Sequence, residues 1–307
     1  MPLRSTSSLN PTLTNYAQGV SQDRRSAIAD FLAPIVPVSA SIGQYKRFNS
    51  KNAFVIYDTA RAIGGPATRI KFEADDPTFN CKPQALEIPI DDAERLAAGE
   101  ADPLGLEQGK LDTLISNAVI AREDKVVTAI KAGIAAVANK GKWSAAANDP
   151  VIELDEQILA ISTATGRMPN AIVFGVGAWS VFRNHPKVVE RQPGSELIGL
   201  TTEQGARMTL NPGIEIRVGI LSKDAAKWGN EKNATNIVGL EVFIFIRSPF
   251  PTQYDPSFAK TFTIGQGQVA GVREYRDESA RSDIYAMDWS EDIQVTSTES
   301  ARRLSIT

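Results

Sequence analysis

Leu111, Ile115, Ala118, Val119, Val126, Ile130, Ile134 and Val137 recur at three- and four-residue steps, which puts them on one face of a single helix from about Leu106 to Lys140. Asp102-Pro103 supplies a start signal and Gly141 a stop. At ~1.5 Å per residue this helix is roughly 50 Å long, whereas a compact globule of this size has a radius of gyration of about 19 Å. The pattern predicts a flat or elongated molecule built on one spine, a shape suited to touching neighbours.

The segments around the spine read differently. Ser21 to Phe31 has a short helical piece, and the APIVPV run after it is extended because Pro34 and Pro37 forbid helix. From Lys46 to Ile90 the strand signals FVIYD and TRIKFEA, separated by Gly64-Gly65-Pro66, predict an excursion of paired strands. Asp149-Pro150 opens a helix through Ile161 that closes at Thr165-Gly166. Ala171 to Gly175 reads as a buried strand, Ala178 to Arg183 as a helical turn, and Ile214 to Ile220 and Val238 to Arg247 as strands. That alternation predicts an α+β or α/β unit of roughly a hundred residues. From Gly265 onward short strands and turns are expected.

Composition removes several function classes. The 307 residues, 42% of them hydrophobic, suffice for a sizeable core. A formal net charge of -3, from 33 basic and 36 acidic residues, gives no electrostatic footprint for tight binding of nucleic acid or an anionic membrane. The single Cys81 excludes an intrachain disulfide and suits a reducing compartment. Val238 to Ile246, the most apolar stretch, is too short to span a bilayer, and MPLRSTSSLNPTLTNY has no apolar signal region, so a soluble chain is expected.

Candidate chemistry is sparse. With His185 and Cys81 as the only His and Cys, a His/Cys zinc site is excluded by count, which leaves a carboxylate-only magnesium or calcium site open. His185, directly before Pro186, reads as a helix-terminal or turn residue rather than a catalytic base. Gly265, Gly267 and Gly271 do not have GxGxxG spacing and read as a turn, and Gly109-Lys110 and Gly141-Lys142 lack the rest of a P-loop. Asp75/Asp76 and Asp91/Asp92 are adjacent acids of the kind that cap helices or solvate turns. No catalytic residue, cofactor site or metal site is expected.

An ordered series of short words resembles tailed-bacteriophage major capsid proteins of the Hong Kong 97 type. The series starts with Ile28-Ala29-Asp30, Pro34, Val36-Pro37-Val38, Gly43, Tyr45 and Phe48, and continues with Ala101 to Leu104 before the long helix. Gly166, Pro169-Asn170, Trp179, His185-Pro186 and Trp228-Gly229 follow. The last words are Pro249, Pro251, Pro256-Ser257-Phe258, Thr261-Phe262, Tyr275-Arg276 and Arg281-Ser282. The resemblance implies an α+β capsid fold divided into an N-terminal arm (1–45), an extension loop (46–92), a peripheral domain holding the spine helix (93–145 and 265–307) and an α/β axial domain (146–264). It also implies a non-enzymatic subunit that self-assembles into hexamers and pentamers of an icosahedral head around double-stranded DNA, bound without sequence specificity and without a membrane. A portal protein and a separate scaffolding protein are implied partners, with decoration proteins left open, and the location is the virion, assembled in the host cytoplasm. The lysine and asparagine that crosslink subunits in the type member are not identifiable.

An excursion of about 25 residues from Asp58 to Lys82 can project up to ~40 Å and lie across a neighbour. Lys71, Phe72 and Phe79 on it, with Ile35, Val36, Val38 and Tyr45 on the arm, are the candidate intersubunit contacts. Two rivals remain at this stage: an encapsulin-like compartment shell, and a soluble carboxylate-dependent α/β enzyme.

Overall fold

The computed structural model describes residues 27–47, 56, 59–61, 64–65, 67–69, 75–98, 103–192, 199–226, 229–265 and 271–307. The first elements are α1 (Ala29–Leu32), β1 (Ile35–Val38), β2 (Ile42–Gln44), β3 (Thr78–Asn80), β4 (Lys82–Asp91), α2 (Asp92–Ala98) and α3 (Pro103–Gly133). Then come α4 (Pro150–Thr165), β5 (Ala171–Gly175), α5 (Val176–Asn184), α6 (Pro186–Glu190) and α7 (Thr202–Arg207). The remainder is strand: β6 (Glu215–Gly219), β7 (Ser222–Asp224), β8 (Ala234–Asn236), β9 (Glu241–Phe245), β10 (Ala259–Ile264), β11 (Gly271–Asp277), β12 (Ser282–Val295) and β13 (Ala301–Ser305).

The amphipathic segment forms one 31-residue helix, α3. Its two halves serve different cores. Leu111, Leu114, Ile115 and Ala118 pack on Ile90 of β4, Val272 of β11 and Tyr285 and Met287 of β12. Val126, Val127 and Ile130, with Ile134 just past the helix end, pack on Ile28, Phe31 and Leu32 at α1 and on Ala171, Val173, Phe243 and Phe245. The helix thereby ties two sheets together. One has the order β1-β10-β12-β11, with β4 also paired to β12; the other has the order β13-β9-β5-β6.

Strand pleating explains why β5 is buried along its whole length. Ala171 and Val173 face α3 and the arm, while Ile172 and Phe174 face the cluster of Val151, Leu154, Ile158 and Ile161 from α4. Val242 and Ile244 on β9 likewise face α4, and Phe243 and Phe245 face α3. A strand covered on both faces reads as an unbroken apolar run. The helix α4 begins and ends where its sequence signals place it. The Asp149 carboxylate accepts the Val151 and Ile152 N–H groups, and Gly166 closes the helix in the left-handed region at φ 66°.

Two expectations change. The spine helix stops at Gly133 rather than near Lys140. The Arg303 guanidinium donates to the Lys131 and Ile134 carbonyls at 3.1 and 3.2 Å, and the Val137 N–H donates to the Arg303 carbonyl at 2.8 Å. The chain therefore leaves the helix to line the edge of β13, and the helix end gains the cationic cap that suits its dipole. Second, the region after Gly265 contains a long strand, β12, rather than only short ones. Its polar positions are held by other elements: Asp283 by Arg95, Glu291 by Lys125, and Asp292 by the Asn80 N–H. The sheets also join strands distant in sequence: β10 pairs with β12 and β13 pairs with β9. Of the excursion strands, FVIYD and TRIKFEA lie largely outside the described residues.

Candidate assembly surface

The excursion has a defined root. Arg47 and Asp75 form an antiparallel bridge, Tyr45 N–H donates to the Pro77 carbonyl at 3.1 Å, and β2 pairs with β3 through Gly43 opposite Phe79. The Lys46 ammonium meets the Asp76 carboxylate at 2.5 Å. Both chain ends of residues 48–74 are thus fixed side by side.

The candidate contact residues divide sharply. Val36, Val38, Tyr45 and Phe79 lie in one buried cluster with Cys81 and Phe262, and Ile35 beside them is half-buried. Phe79 stacks on Phe262 with centroids 4.7 Å apart, and Tyr45 lies 5.3 Å from the same ring. Phe79 was expected to seek its partner on a neighbour, yet Phe262 of its own chain already covers it, because β1 and β3 both converge on β10. The Cys81 thiol donates to the Phe262 carbonyl at 3.4 Å, and burial pushes its pKa up, so it is a packing group rather than a reactive one. Lys71 and Phe72 lie outside the described residues.

A surface that the sequence reading did not select lies next to this root. Phe250 is 84% exposed and Tyr254 is 65% exposed. Pro249, Pro251 and Pro256 restrict the loop that carries them. Inside the loop Thr252 N–H donates to Asp255 Oδ1 at 2.8 Å. Lys260, completely buried, donates to the Asp255 carbonyl at 2.6 Å and lies 2.8 Å from its carboxylate. Burial opposes ionisation of Asp255, but the Lys260 ammonium and the Thr252 N–H hold its carboxyl below its ordinary value. The Gln253 carbonyl accepts the Lys46 N–H at 3.3 Å, which fixes the loop against the excursion root. Two exposed aromatics on a braced loop have the make-up of interface anchors, and they carry no charge that would favour DNA phosphate. The Pro-Phe-Pro motif in a polar setting was the available signal in the sequence.

His185 is buried as the residue joining α5 to α6, and its Nδ1 accepts the Lys187 N–H at 3.3 Å. Among the described residues, no group of three or more His, Cys, Asp or Glu side chains is placed to hold a metal, and no helix is long and apolar enough to cross a membrane.

The architecture is that of phage capsid proteins, the Hong Kong 97-like fold. It matches the crystal structure of a phage-related protein from Bordetella bronchiseptica RB50 with a TM-score of 0.74 at 20% identity, covering 98% of both chains. The capsid structure of cyanophage P-SCSP1u matches with a TM-score of 0.54 at 11% identity, over 90% of this chain and 86% of that one. The SrpI encapsulin of Synechococcus elongatus PCC 7942 matches with a TM-score of 0.56 at 12% identity, over 99% of this chain and 92% of that one. In sequence, the chain is 29% identical to the major capsid protein of Burkholderia phage BcepMu over 192 residues, 60% of each protein. It is 26% identical to the major capsid protein of Pseudomonas phage JBD67 over 194 residues, 61% of this chain and 60% of that protein. The matched region thus spans about 60% of the length of these relatives. No protein-family model matches the chain.

Proposed function

We propose that this chain is a major capsid protein, a structural subunit that self-assembles into the hexamers and pentamers of an icosahedral phage head enclosing double-stranded DNA. The observation that carries the reading is the conjunction of a capsid fold along nearly the whole chain with two sequence relatives that are both major capsid proteins. An encapsulin shares the fold. The phage relatives favour the head over an enzyme-filled compartment, and the sparse chemistry favours either shell over an enzyme.

In this reading residues 1–45 form the arm, 46–92 the extension loop, 93–145 with 265–307 the peripheral part and 146–264 the axial part, with β10 and β13 exchanged between the two sheets. Phe250 and Tyr254, together with residues 48–74, supply contacts to neighbouring subunits. Lys71 and Phe72 are among these contacts. Ile35, Val36, Val38, Tyr45 and Phe79 act one step back, by fixing the root from which those contacts project. Each interface is individually modest, and closure makes many of them act together. The portal and scaffolding proteins are further partners, and the assembled chain resides in the virion after assembly in the host cytoplasm.

The test is light scattering after size exclusion, followed by electron microscopy of the purified protein. Closed megadalton particles are expected, whereas a stable monomer or dimer under all assembly conditions would overturn the reading. Nucleic acid inside particles recovered from infected cells separates the phage head from an enzyme-filled shell.

A further inference from the structure

Glu123 is fully buried in the middle of α3. One carboxylate oxygen accepts the Ile28 N–H at 2.8 Å, and the other has no hydrogen-bond partner among the described residues. Ile28 is the residue from which α1 starts, and its carbonyl takes the Phe31 and Leu32 N–H groups. A side chain in the spine therefore anchors the first turn of the arm. Around it lie apolar groups: Ile28, Ala29, Val126 and Val127 belong to one buried cluster.

We propose that Glu123 is a proton-operated latch: neutral, it stays in its pocket and seats the arm on α3; ionised, it turns toward water and withdraws the acceptor from Ile28.

The geometry gives the reason. An ionised carboxylate in this position buries one oxygen that faces no donor, which is far costlier than burying a neutral acid whose carbonyl keeps the Ile28 N–H. The surrounding ions do not offset this, because they are matched with one another. On α1, Asp30 pairs with Arg122 at 2.5 Å; on β12, Glu291 pairs with Lys125 at 3.3 Å and lies 3.4 Å from Arg122; on β7, Lys223 pairs with Asp124 at 2.6 Å. On β4 the side chain offered to α3 here is the neutral Gln84, which accepts from Lys125 at 2.5 Å. Arg217 and Arg247 lie over the Phe31 ring, 4.2 and 5.0 Å from its centre, and on β9 Glu241 is occupied by Arg303.

Burial accordingly raises the Glu123 pKa from 4.5 to about 7, against a smaller opposing effect of the Ile28 N–H. Because the folded value is raised, seating is strongest at and below the unfolded value of 4.5. It weakens about tenfold per pH unit up to the folded value near 7 and is level above it, roughly two orders of magnitude in all. The inference concerns the subunit alone and stands whether or not the capsid reading does.

The experiment measures amide hydrogen exchange of residues 27–33 in the full-length subunit between pH 4.5 and 8, in the wild type and in Glu123→Gln, with the wild-type rates divided by the variant's to remove intrinsic base catalysis. The ratio is expected to rise about tenfold per unit up to pH 7 and then level off. A ratio that is flat with pH overturns the latch. Should the variant not fold, carboxyl carbon NMR of the wild type decides. A glutamate titrating near 7 in step with arm exchange supports the latch, and the absence of any glutamate titrating above the ordinary range sinks it.

Discussion

Arg47 and Asp75 exchange both of their backbone hydrogen bonds, the Arg47 N–H to the Asp75 carbonyl at 2.9 Å and the Asp75 N–H to the Arg47 carbonyl at 3.2 Å. This pair closes the base of everything from residue 48 to residue 74. The subunit therefore needs none of that segment to bring its two sides together. Replacing 48–74 by a short Gly/Ser turn is expected to leave circular dichroism and melting close to wild type, since loop-closure entropy varies slowly with length. Closed particles should be absent in the electron microscope. Normal particles from the variant would show that the segment is not an intersubunit arm. The excision must stop short of Phe79, whose ring belongs to the subunit's own core.

Phe250 and Tyr254 test assembly from the opposite direction. Because both side chains are exposed, Phe250→Ser with Tyr254→Ser should shift the melting temperature by no more than a degree or two. The protein concentration needed for particle formation should rise at least tenfold, read by light scattering. An unchanged assembly threshold would remove this loop from the contact surface.

Ile130 is fully buried on α3, and Lys125 is half-buried, reaching Gln84 and Glu291. Ile130→Asp buries an unpaired carboxylate, with an expected cost of several kcal/mol, enough to unfold a marginal domain. Lys125→Ala leaves the buried Glu291 with only its 3.4 Å contact to Arg122 and is expected to cost about 1–3 kcal/mol, less than Ile130→Asp. Chemical denaturation of both variants checks the contrast, and equal midpoints would contradict the packing described.

Asp255 has a pKa held below its ordinary value, so its contribution to stability is present above the unfolded value of about 3.9 and disappears as the pH falls through the lower, folded value. Asp255→Asn leaves the buried Lys260 without its counter-ion, at a cost of ~3 kcal/mol at pH 7. Thermal melts from pH 7 to pH 2.5 should show the gap between wild type and variant closing in acid. A gap independent of pH would mean that the pair is not what holds the loop.

Gly141 has φ 86°, and a Cβ there would collide with the Ser305 carbonyl. Thr307 N–H donates to the Gly141 carbonyl at 2.8 Å, and the Gly141 N–H reaches Glu153 at 2.8 Å. Gly141→Ala combines backbone strain with a clash, and a loss of about 2 kcal/mol or more is expected in denaturant titration.

Parts of this architecture were legible in the sequence where the deciding interactions are local. The apolar stripe of α3, the Asp149 cap and Gly166 stop of α4, and the unbroken apolar run of β5 all express periodicity or capping within a few residues. The end of α3 was not legible, because the group that stops it, Arg303, lies far along the chain. The length of β12 was hidden by acids that look solvent-facing until their cationic partners are known. The same distance effect hides the packing of the candidate contact residues. Val36, Val38 and Tyr45, and Phe79 on the excursion, sit among breakers, and only their convergence on Phe262 shows the cluster they form within the chain.

Three prolines within strands have a consequence for how copies of this chain meet. Pro37 lies on β1 and Pro83 and Pro89 on β4, and among the described residues both strands pair on one side only within the five-stranded sheet. A residue without an N–H at such a margin makes it a poor template for another strand. In the proposed shell, crowded subunits are thereby turned away from zipping edge to edge into ribbons that grow without end. Association is left to loops and side chains that fit at particular angles, and fixed angles are what allow a surface to curve back and seal.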